Sequence, residues 1–404
     1  MAEFFRIVQN EWIKLFRRRR FLVVLALGLA LVAFYAYSMY SDKKNSNEYN
    51  DPAFQQMRMQ QRIDRLETMK TTDTGLTEER KKSIDLEIAN TREQMKLVEQ
   101  EAANSSQTPV FDEAKQKQQL ENIKKQLENV PPGDYNMKAR QEMTIKMMEY
   151  RLEHQLPTGT NDRFSMWKLV VQFLDVGTQV FIPLLCVLLV ADMVSGEQTG
   201  GTIKLLLTRP PTRGKILFAK YVTSVLASVF VVAILLGALV LSLLGLGTEG
   251  AQNPVPIGVE YNTVEQMING KMGTVAVPDS SHMSFISMER FTWISLLLTL
   301  LATVAMSTFG FFCSMLVRSA AVSTGIALAV VIIGTILGHS LTGIPAMKFL
   351  FTMHYNLPFA WTGELSEQFE TPMSLMQSLS ILGAWTVGMY LAGHILFKKR
   401  DVLG

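Results

Sequence analysis

Residues 213–247 read RGKILFAKYVTSVLASVFVVAILLGALVLSLLGLG, and from Tyr221 to Thr248 no residue carries a charge. An α-helix rises about 1.5 Å per residue, and about 20 mostly apolar residues cross a hydrocarbon core about 30 Å thick. This stretch therefore predicts a membrane helix, and one longer than a single crossing needs, which tilts or projects beyond the bilayer. Five further windows qualify: 21–40, 168–191, 291–317, 320–342 and 376–397. Only Arg318 and Ser319 separate two of them, which predicts a tight hairpin.

The averages of the 404-residue chain, 48% hydrophobic and 19% charged with a net charge of +3, hide two materials. Residues 41–165 hold 20 Lys+Arg and 22 Asp+Glu, while the rest of the chain holds 19 and 14. That division excludes a simple soluble enzyme, and the apolar content excludes a disordered chain. The expected fold is an all-α integral membrane protein: six transmembrane helices, an N-terminal interfacial helix, and a large extracellular helical insertion (41–167) between the first two spans. The window 21–40 follows basic residues as a secretion signal would, but it ends in Phe34, Tyr35, Tyr37 and Tyr40 with no small-residue cleavage site. It is expected to be a retained anchor. Two cysteines, Cys186 and Cys313, both in apolar windows, support neither a disulfide framework nor a cysteine zinc site.

Orientation follows the basic residues of the short connections. The N-terminus, the 194–215 loop, the 318–319 turn and the tail hold Arg6, Lys14, Arg17, Arg18, Arg19, Arg20, Lys204, Arg209, Arg213, Lys215, Arg318, Lys398, Lys399 and Arg400, against Glu3, Glu11, Glu197 and Asp401. Segments 248–290 and 343–375 hold Lys271, Arg290 and Lys348, against Glu249, Glu260, Glu265, Asp279, Glu289, Glu364, Glu367 and Glu370. The first set is expected in the cytoplasm of a cell whose plasma membrane the chain spans. Both termini then lie inside, and 41–167 lies outside.

In residues 1–20, Phe4, Phe5, Val8, Trp12, Leu15 and Phe16 recur at helical spacing, which predicts an amphipathic helix at the inner membrane surface. Residues 192–221 read DMVSGEQTGGTIKLLLTRPPTRGKILFAKY. This is a polar exit from a span, a Gly-Gly-Thr turn, a short amphipathic helix over 203–207 that Thr202 can cap, a Pro210-Pro211 stop, and re-entry. A rigid element that short cannot fold alone and must lean on something, so 192–215 reads as a docking loop.

Here the chain resembles the membrane (permease) subunits of type-2 ATP-binding-cassette transporters. The pattern Ser-Gly-Glu, Gly-Thr, Leu-Leu, Pro, Arg, Lys falls on Ser195, Gly196, Glu197, Gly201, Thr202, Leu205, Leu206, Pro210, Arg213 and Lys220. The tail from Phe397 through Lys398, Lys399 and Arg400 to Asp401 resembles that family's ending, and the likeness covers all six spans but not the 41–167 insertion. The resemblance implies that the loop and the N-terminal helix dock onto a separate ABC ATPase dimer, with Trp12, Glu197, Gly201, Thr202, Leu205, Leu206 and Arg213 as the contact residues. It implies a second permease copy or paralogue, surrounding membrane lipid, and ATP and Mg on the partner subunit, none bound by this chain. No Gly-x-x-x-x-Gly-Lys-Ser/Thr loop, His-Glu-x-x-His or Gly-x-Ser-x-Gly occurs, so the chain itself is expected to be non-catalytic, with no metal site.

Within the spans, Gln172, Asp175 and Gln179 fall at i, i+3 and i+7 on one helix face. A buried aspartate in a membrane needs a partner or a wet cavity. These three, with Thr299, Thr303 and Ser307 of the fourth span, are the candidate lining of a substrate path; close helix packing is the competing reading of that threonine-serine stripe. His339 and His394, near span ends, read as interfacial anchors.

In the insertion, Asp51-Pro52 starts a helix bearing Met59, Ile63, Leu66 and Met69, and Thr77 starts another bearing Ile84, Ile88, Met95 and Val98. Leu120, Ile123, Leu127 and Val130 mark a third, and Met143, Met147 and Tyr150 a fourth. Their narrow seams suit a coiled-coil-like bundle. Its balanced charge gives no case for nucleic acid. Segment 248–290, broken by Pro254, Pro256, Gly258, Gly270, Gly273 and Pro278, is expected to be irregular. Segment 343–375, with Pro345, Phe349, Leu350, Phe351, Tyr355, Pro358, Phe359 and Trp361, resembles the short external or re-entrant helices that the family places between its fifth and sixth spans; an interfacial aromatic belt is the competing reading. The resemblance implies an exporter of an amphipathic molecule, a lipid or an antimicrobial peptide, driven by a partner's ATP hydrolysis. The alternative is a membrane receptor or scaffold whose external helices sense a ligand. An ion-coupled carrier would need more buried ionisable residues than Asp175.

Overall fold

A computed structural model of the chain describes residues 2–72, 84–85, 87–88, 91–92, 94–95, 111–131, 134–157, 163–201, 212–268, 271–340 and 344–399. The expected helix over 203–207, with Thr202, Leu205 and Leu206, lies outside the described residues, as do the helix start at Thr77, Val98, and the tail pair Arg400-Asp401. The helices are α1 (Ala2–Arg17), α2 (Arg19–Asn50), α3 (Pro52–Thr72), α4 (Glu113–Glu128), α5 (Tyr135–Glu153), α6 (Met166–Val176), α7 (Ile182–Val190), α8 (Ser195–Thr199), α9 (Arg213–Leu243), α10 (Met288–Leu316), α11 (Ala320–Ser340), α12 (Leu357–Thr362), α13 (Glu364–Gln368) and α14 (Leu375–Lys399). Six helical stretches are long and apolar enough to cross a membrane: Arg19–Glu48, Met166–Thr199, Arg213–Leu246, Met288–Leu316, Ala320–Gly338 and Leu375–Lys399. The helical membrane fold expected from the windows is the fold observed.

The chain divides into two compact units. The smaller holds residues 36–112 and 157–160. In it Ile63 of α3 is buried with Ile84 and Ile88, and Leu66 and Met95 pack alongside. Arg62–Glu87, Lys70–Asp85 and Arg92–Glu67 ion pairs flank that seam.

The larger unit, residues 1–35, 113–156 and 161–404, contains the body of the bundle. Its central helix is α10, which packs on α14, α9, α7, α11 and α6. Helices surrounded by lipid gain little from hydrophobic burial, so they associate through close packing and small residues. The buried face of α10 supplies them: Ser295, Thr299, Ala302, Thr303, Ser307, Gly310 and Ser314. A methyl group on Gly310 would sit 3.5 Å from the Val187 Cα, so α7 and α10 meet almost backbone to backbone. Gly28 serves α2 in the same way, because a Cβ there would lie 2.6 Å from Leu235 of α9.

The second span is not one regular helix. Between α6 and α7, Gly177–Phe181 form a π-turn, closed by the Ile182 N–H on the Gly177 carbonyl. Pro183 supplies the reason: it has no N–H to give to the carbonyl four residues back, and its ring would press on that carbonyl in a regular helix. That carbonyl, on Gln179, faces the Thr335 hydroxyl at 3.4 Å.

Segment 248–290 corrects an expectation. It is not irregular but folds into four strands, β1 (Pro254–Ile257), β2 (Glu260–Ile268), β3 (Lys271–Asp279) and β4 (Ser284–Ser287), paired antiparallel as β1 with β4 and β2 with β3. Ile268 pairs with Lys271, and the two residues between them in the sequence are Asn269 and Gly270. Asn-Gly is the strongest short hairpin signal, and here it outweighs the glycines and prolines that suggested disorder of form. Val255, Ile257 and Phe291 then build a core with Ile286, Met288 and Trp361 against it.

Helices α4 and α5 and residues 345–373 cover the same end of the bundle. Residues 345–373 wind as two 3₁₀ turns followed by α12 and α13 around a core of Met353, Ala360, Leu365, Phe369 and Met373. α5 meets both the strand region and the short helices: Lys146 donates to the Ser280 carbonyl just past β3, and Arg140 pairs with Glu367 of α13 at 2.6 Å. Between α12 and α13, Gly363 has φ +84°, and a Cβ would lie 2.9 Å from both the Val259 carbonyl and the Tyr261 ring. Gly363→Ala combines left-handed strain of about 1–2 kcal/mol with a clash against backbone. It should lower the midpoint of thermal unfolding, read by tryptophan fluorescence in detergent. Gly388→Ala, with nothing within 4 Å of the new methyl, should not.

Candidate functional site

The basic end of the bundle, where α1, α8, the start of α9 and the α10–α11 turn meet, is built around one buried ammonium. Lys220 stands two turns into α9, and its side chain is 4% exposed. Its Nζ donates to Glu11 Oε2 of α1 and to Glu197 Oε1 of α8, each at 2.6 Å. Lys14, half exposed, adds contacts of 2.9 Å to Glu11 and 3.8 Å to Glu197. Two ammonium and two carboxylate groups make a neutral cluster. Neutrality matters because an uncompensated charge taken out of water carries a penalty of several kcal/mol. For Glu11, burial pulls the carboxyl pKa up, and Lys220 with Lys14 more than offsets it, so the group is held below the ordinary carboxylate value.

The apolar face of α1 seats this cluster. Phe4 stacks on Phe218 of α9 at 5.5 Å, while Trp12 and Phe16 lie against Phe230 at 6.0 and 5.9 Å. Glu11 rides on that face between Val8 and Leu15, one charge in an apolar stripe.

The exit of the second span is fastened as tightly. Between α7 and α8, the N–H groups of Val194 and Ser195 both donate to Ser314 Oγ of α10, at 2.8 and 3.0 Å. Ser323 of α11 donates to the Ala191 carbonyl at 2.6 Å. Thr199, the last residue of α8, accepts the N–H of Ala320 at 3.1 Å and so satisfies a free donor at the start of α11. Arg20 and Arg18 reach Asp192 at 2.9 and 3.6 Å. Chain on both sides of 202–211 is thus tied to α1, α10 and α11, through groups outside that segment.

The expected docking residues separate on this frame. Glu197 is buried, with its carboxylate turned inward onto Lys220. Trp12 is spent on packing against α9. Gly201 has φ +68° with open space where a Cβ would be, and Arg213 opens α9 exposed.

Farther from this cluster along the second span lies a cavity of about 400 Å³ lined by Asp175, Val176, Gln179 and Val180 of that span and by Phe359, Glu364 and Gln368. Asp175 Oδ1 accepts from Gln179 Nε2 at 3.1 Å and Asn356 Nδ2 at 3.3 Å, and Gln179 reaches Gln368 at 3.4 Å. Burial, then the charges of Asp175 and Glu367, raise the Glu364 pKa. Gln172 is exposed and lies apart from this pair. Thr299, Thr303 and Ser307 line neither this cavity nor the smaller void beside it. They are fully buried, and each hydroxyl donates to the carbonyl four residues back, at 2.8–2.9 Å. Their role in this structure is packing. His394 sits beside Tyr390, at 3.4 Å from its hydroxyl.

The profile of a family described as ABC-2 family transporter protein matches residues 5–402. A Bacillus subtilis (strain 168) relative, the uncharacterised protein YhcI, is 26% identical over 294 residues, covering 71% of this chain and 84% of its own.

Removing Lys220 alone leaves two carboxylates buried together. Lys220→Met should therefore destabilise by about 3–5 kcal/mol, whereas the same change combined with Glu11→Gln and Glu197→Gln should recover most of that loss. Thermal unfolding in detergent distinguishes the two, and equal damage in both would place the stabilising contact elsewhere. Because the folded-state pKa of Glu11 is depressed, its contribution is complete above the ordinary carboxylate range and disappears as pH falls through the lowered value. Unfolding midpoints should hold level, as far as Glu11 is concerned, from pH 7 to the ordinary carboxylate range at about 4.5 and drop as pH is taken below it, less steeply in Glu11→Gln.

Proposed function

This chain belongs to the ABC-2 family of transporter membrane proteins, and from that we propose that it is the permease subunit of an ATP-driven exporter, itself non-catalytic. A separate ABC ATPase dimer, holding ATP and Mg²⁺, works from the cytoplasmic side of the plasma membrane. The basic end of the bundle, with both chain termini, faces that side, following the arginine and lysine bias. A second copy or a paralogue completes the passage, and membrane lipid surrounds the apolar outer faces.

The observation that carries this reading is the neutral Lys220 cluster. The 202–211 segment joins α8 to α9, and Lys220 ties Glu197 of α8 and Glu11 of α1 to α9. Force applied to that segment by a closing ATPase would be delivered to the second and third spans and the N-terminal helix together. Glu197 then acts inside the joint as a coupling residue, while Gly201, Thr202, Leu205, Leu206 and Arg213 are left to meet the partner. Trp12 would keep α1 seated on α9. The cavity beside Asp175, lined by carboxylates and amides and also by Val176, Val180 and Phe359, suits a molecule with both polar and apolar parts. That supports a lipid or amphipathic peptide as cargo.

Reporter fusions at residue 100 should respond as external and at residue 205 as cytoplasmic. Glu197→Gln and Gly201→Ala should leave the protein in the membrane with its ATPase bound and ATP hydrolysis continuing, while transport in proteoliposomes falls at least about tenfold, a barrier increase of about 1.4 kcal/mol. Full transport in both variants, or a purified chain that never retains a nucleotidase, would remove the coupling role.

A further inference from the structure

Between the 3₁₀ segment at Phe351–His354 and α11 lies a narrow void of about 10 Å³. Thr352, Tyr355, Asn356 and Gln179 line it, together with Gly334 and Gly338 of α11 and the apolar side chains of Met353, Leu365 and Phe369. Three polar atoms of those residues, Thr352 Oγ1, Tyr355 OH and Asn356 Oδ1, are buried and have no hydrogen-bond partner in the protein. Tyr355 is 2% exposed and Asn356 1%.

Buried polar atoms in folded proteins are nearly always satisfied, and one orphan would itself call for an explanation. Three around one void of this size point to a single missing partner. The void has room for about one water, and polar voids of that size are wet where apolar ones stay dry. We propose that this void is the binding site of one ordered water, which fastens the cap over residues 345–373 to the fifth span.

Three of the four hydrogen-bonding positions of a water are matched by these atoms, the usual number for a buried water. The Asp175 carboxylate only accepts, so it holds the Asn356 amide nitrogen at 3.3 Å and leaves Oδ1 for the void. The water donates to Asn356 Oδ1 and accepts from the Tyr355 and Thr352 hydroxyls. Burial keeps the Tyr355 phenol protonated. Asn356 then links the water to Asp175 at the edge of the 400 Å³ cavity. A sodium ion fits the site less well: Asn356 stands between the void and Asp175, and the three orphan atoms are neutral. The inference is independent of the transport reading.

The sign of one substitution decides between a wet and a dry void. If the void is dry, Tyr355→Phe deletes an orphan hydroxyl and the unfolding midpoint rises. If it holds water, the change removes a hydrogen bond from a satisfied network, and the midpoint falls by about 1–3 °C. Tyr355→Phe and Thr352→Val should also be strongly non-additive, because they share one water. An unchanged or raised midpoint overturns the proposal. Should either variant fail to fold, radiolytic hydroxyl labelling of the wild-type chain in H₂¹⁸O gives a second readout. A bound water marks Tyr355 despite its burial, and an unmarked Tyr355 overturns the proposal. Melts repeated in sodium chloride and choline chloride should coincide; a sodium-dependent stabilisation lost in Tyr355→Phe would assign the site to a cation instead.

Discussion

One ammonium group, the Nζ of Lys220, governs the basic end of this bundle. In a helix that otherwise carries no charge from Tyr221 to its end, it is buried against two carboxylates that come from separate elements. Attraction between charges strengthens as water is excluded, but so does the penalty for leaving one of them alone. The cluster therefore behaves as a unit. α1, α8 and α9 hold this arrangement together or lose it together.

The opposite end uses a different device. There the elements are short, and backbone groups that would lie unpaired in a loop are satisfied by strand pairing and by side-chain oxygens. Gly258 donates its N–H to the Trp361 carbonyl at 2.8 Å, and Ser366 Oγ accepts the Met373 N–H at 2.9 Å. His354 is satisfied on both sides of its ring. Its two ring nitrogens contact Ser378 Oγ and the Lys348 carbonyl at 2.9 and 2.6 Å, and burial lowers its pKa despite the carbonyl's opposing pull. Between the two ends, helix contact rests on small residues, so shape rather than charge sets the spacing.

Much of this was legible in the chain itself, because hydrocarbon thickness sets a length that any apolar window must meet. All six crossing helices follow from that single constraint. The partners of Lys220 were not legible: Glu11 and Lys220 are 209 residues apart. One signal existed, in that Glu11 interrupts the apolar stripe of α1, where a charge must be answered from elsewhere. The β2–β3 hairpin was equally available in Asn269-Gly270. Pro183 marked the break in the second span. Asp175, before the break, and Gln179, within it, still hydrogen-bond, while Gln172 does not line the cavity they share. The threonine-serine stripe of α10 shows the limit of residue type as a guide, since a hydroxyl that bonds its own helix is, to its neighbours, simply small.

The π-turn at Gly177–Phe181 gives the second span one residue more than a regular helix would fit into the same rise. The wide turn takes up that surplus residue locally, so α7 keeps the rotational phase of an uninterrupted helix one residue shorter. Deleting one position there would regularise the helix and press the Pro183 ring on the turn before it, yet leave the N–H groups of Val194 and Ser195 facing Ser314. The same deletion in the regular turns of α7 would rotate everything after it by about 100° and turn those N–H groups away. A change of length in this span is thus tolerated at the wide turn and nowhere near Ser314.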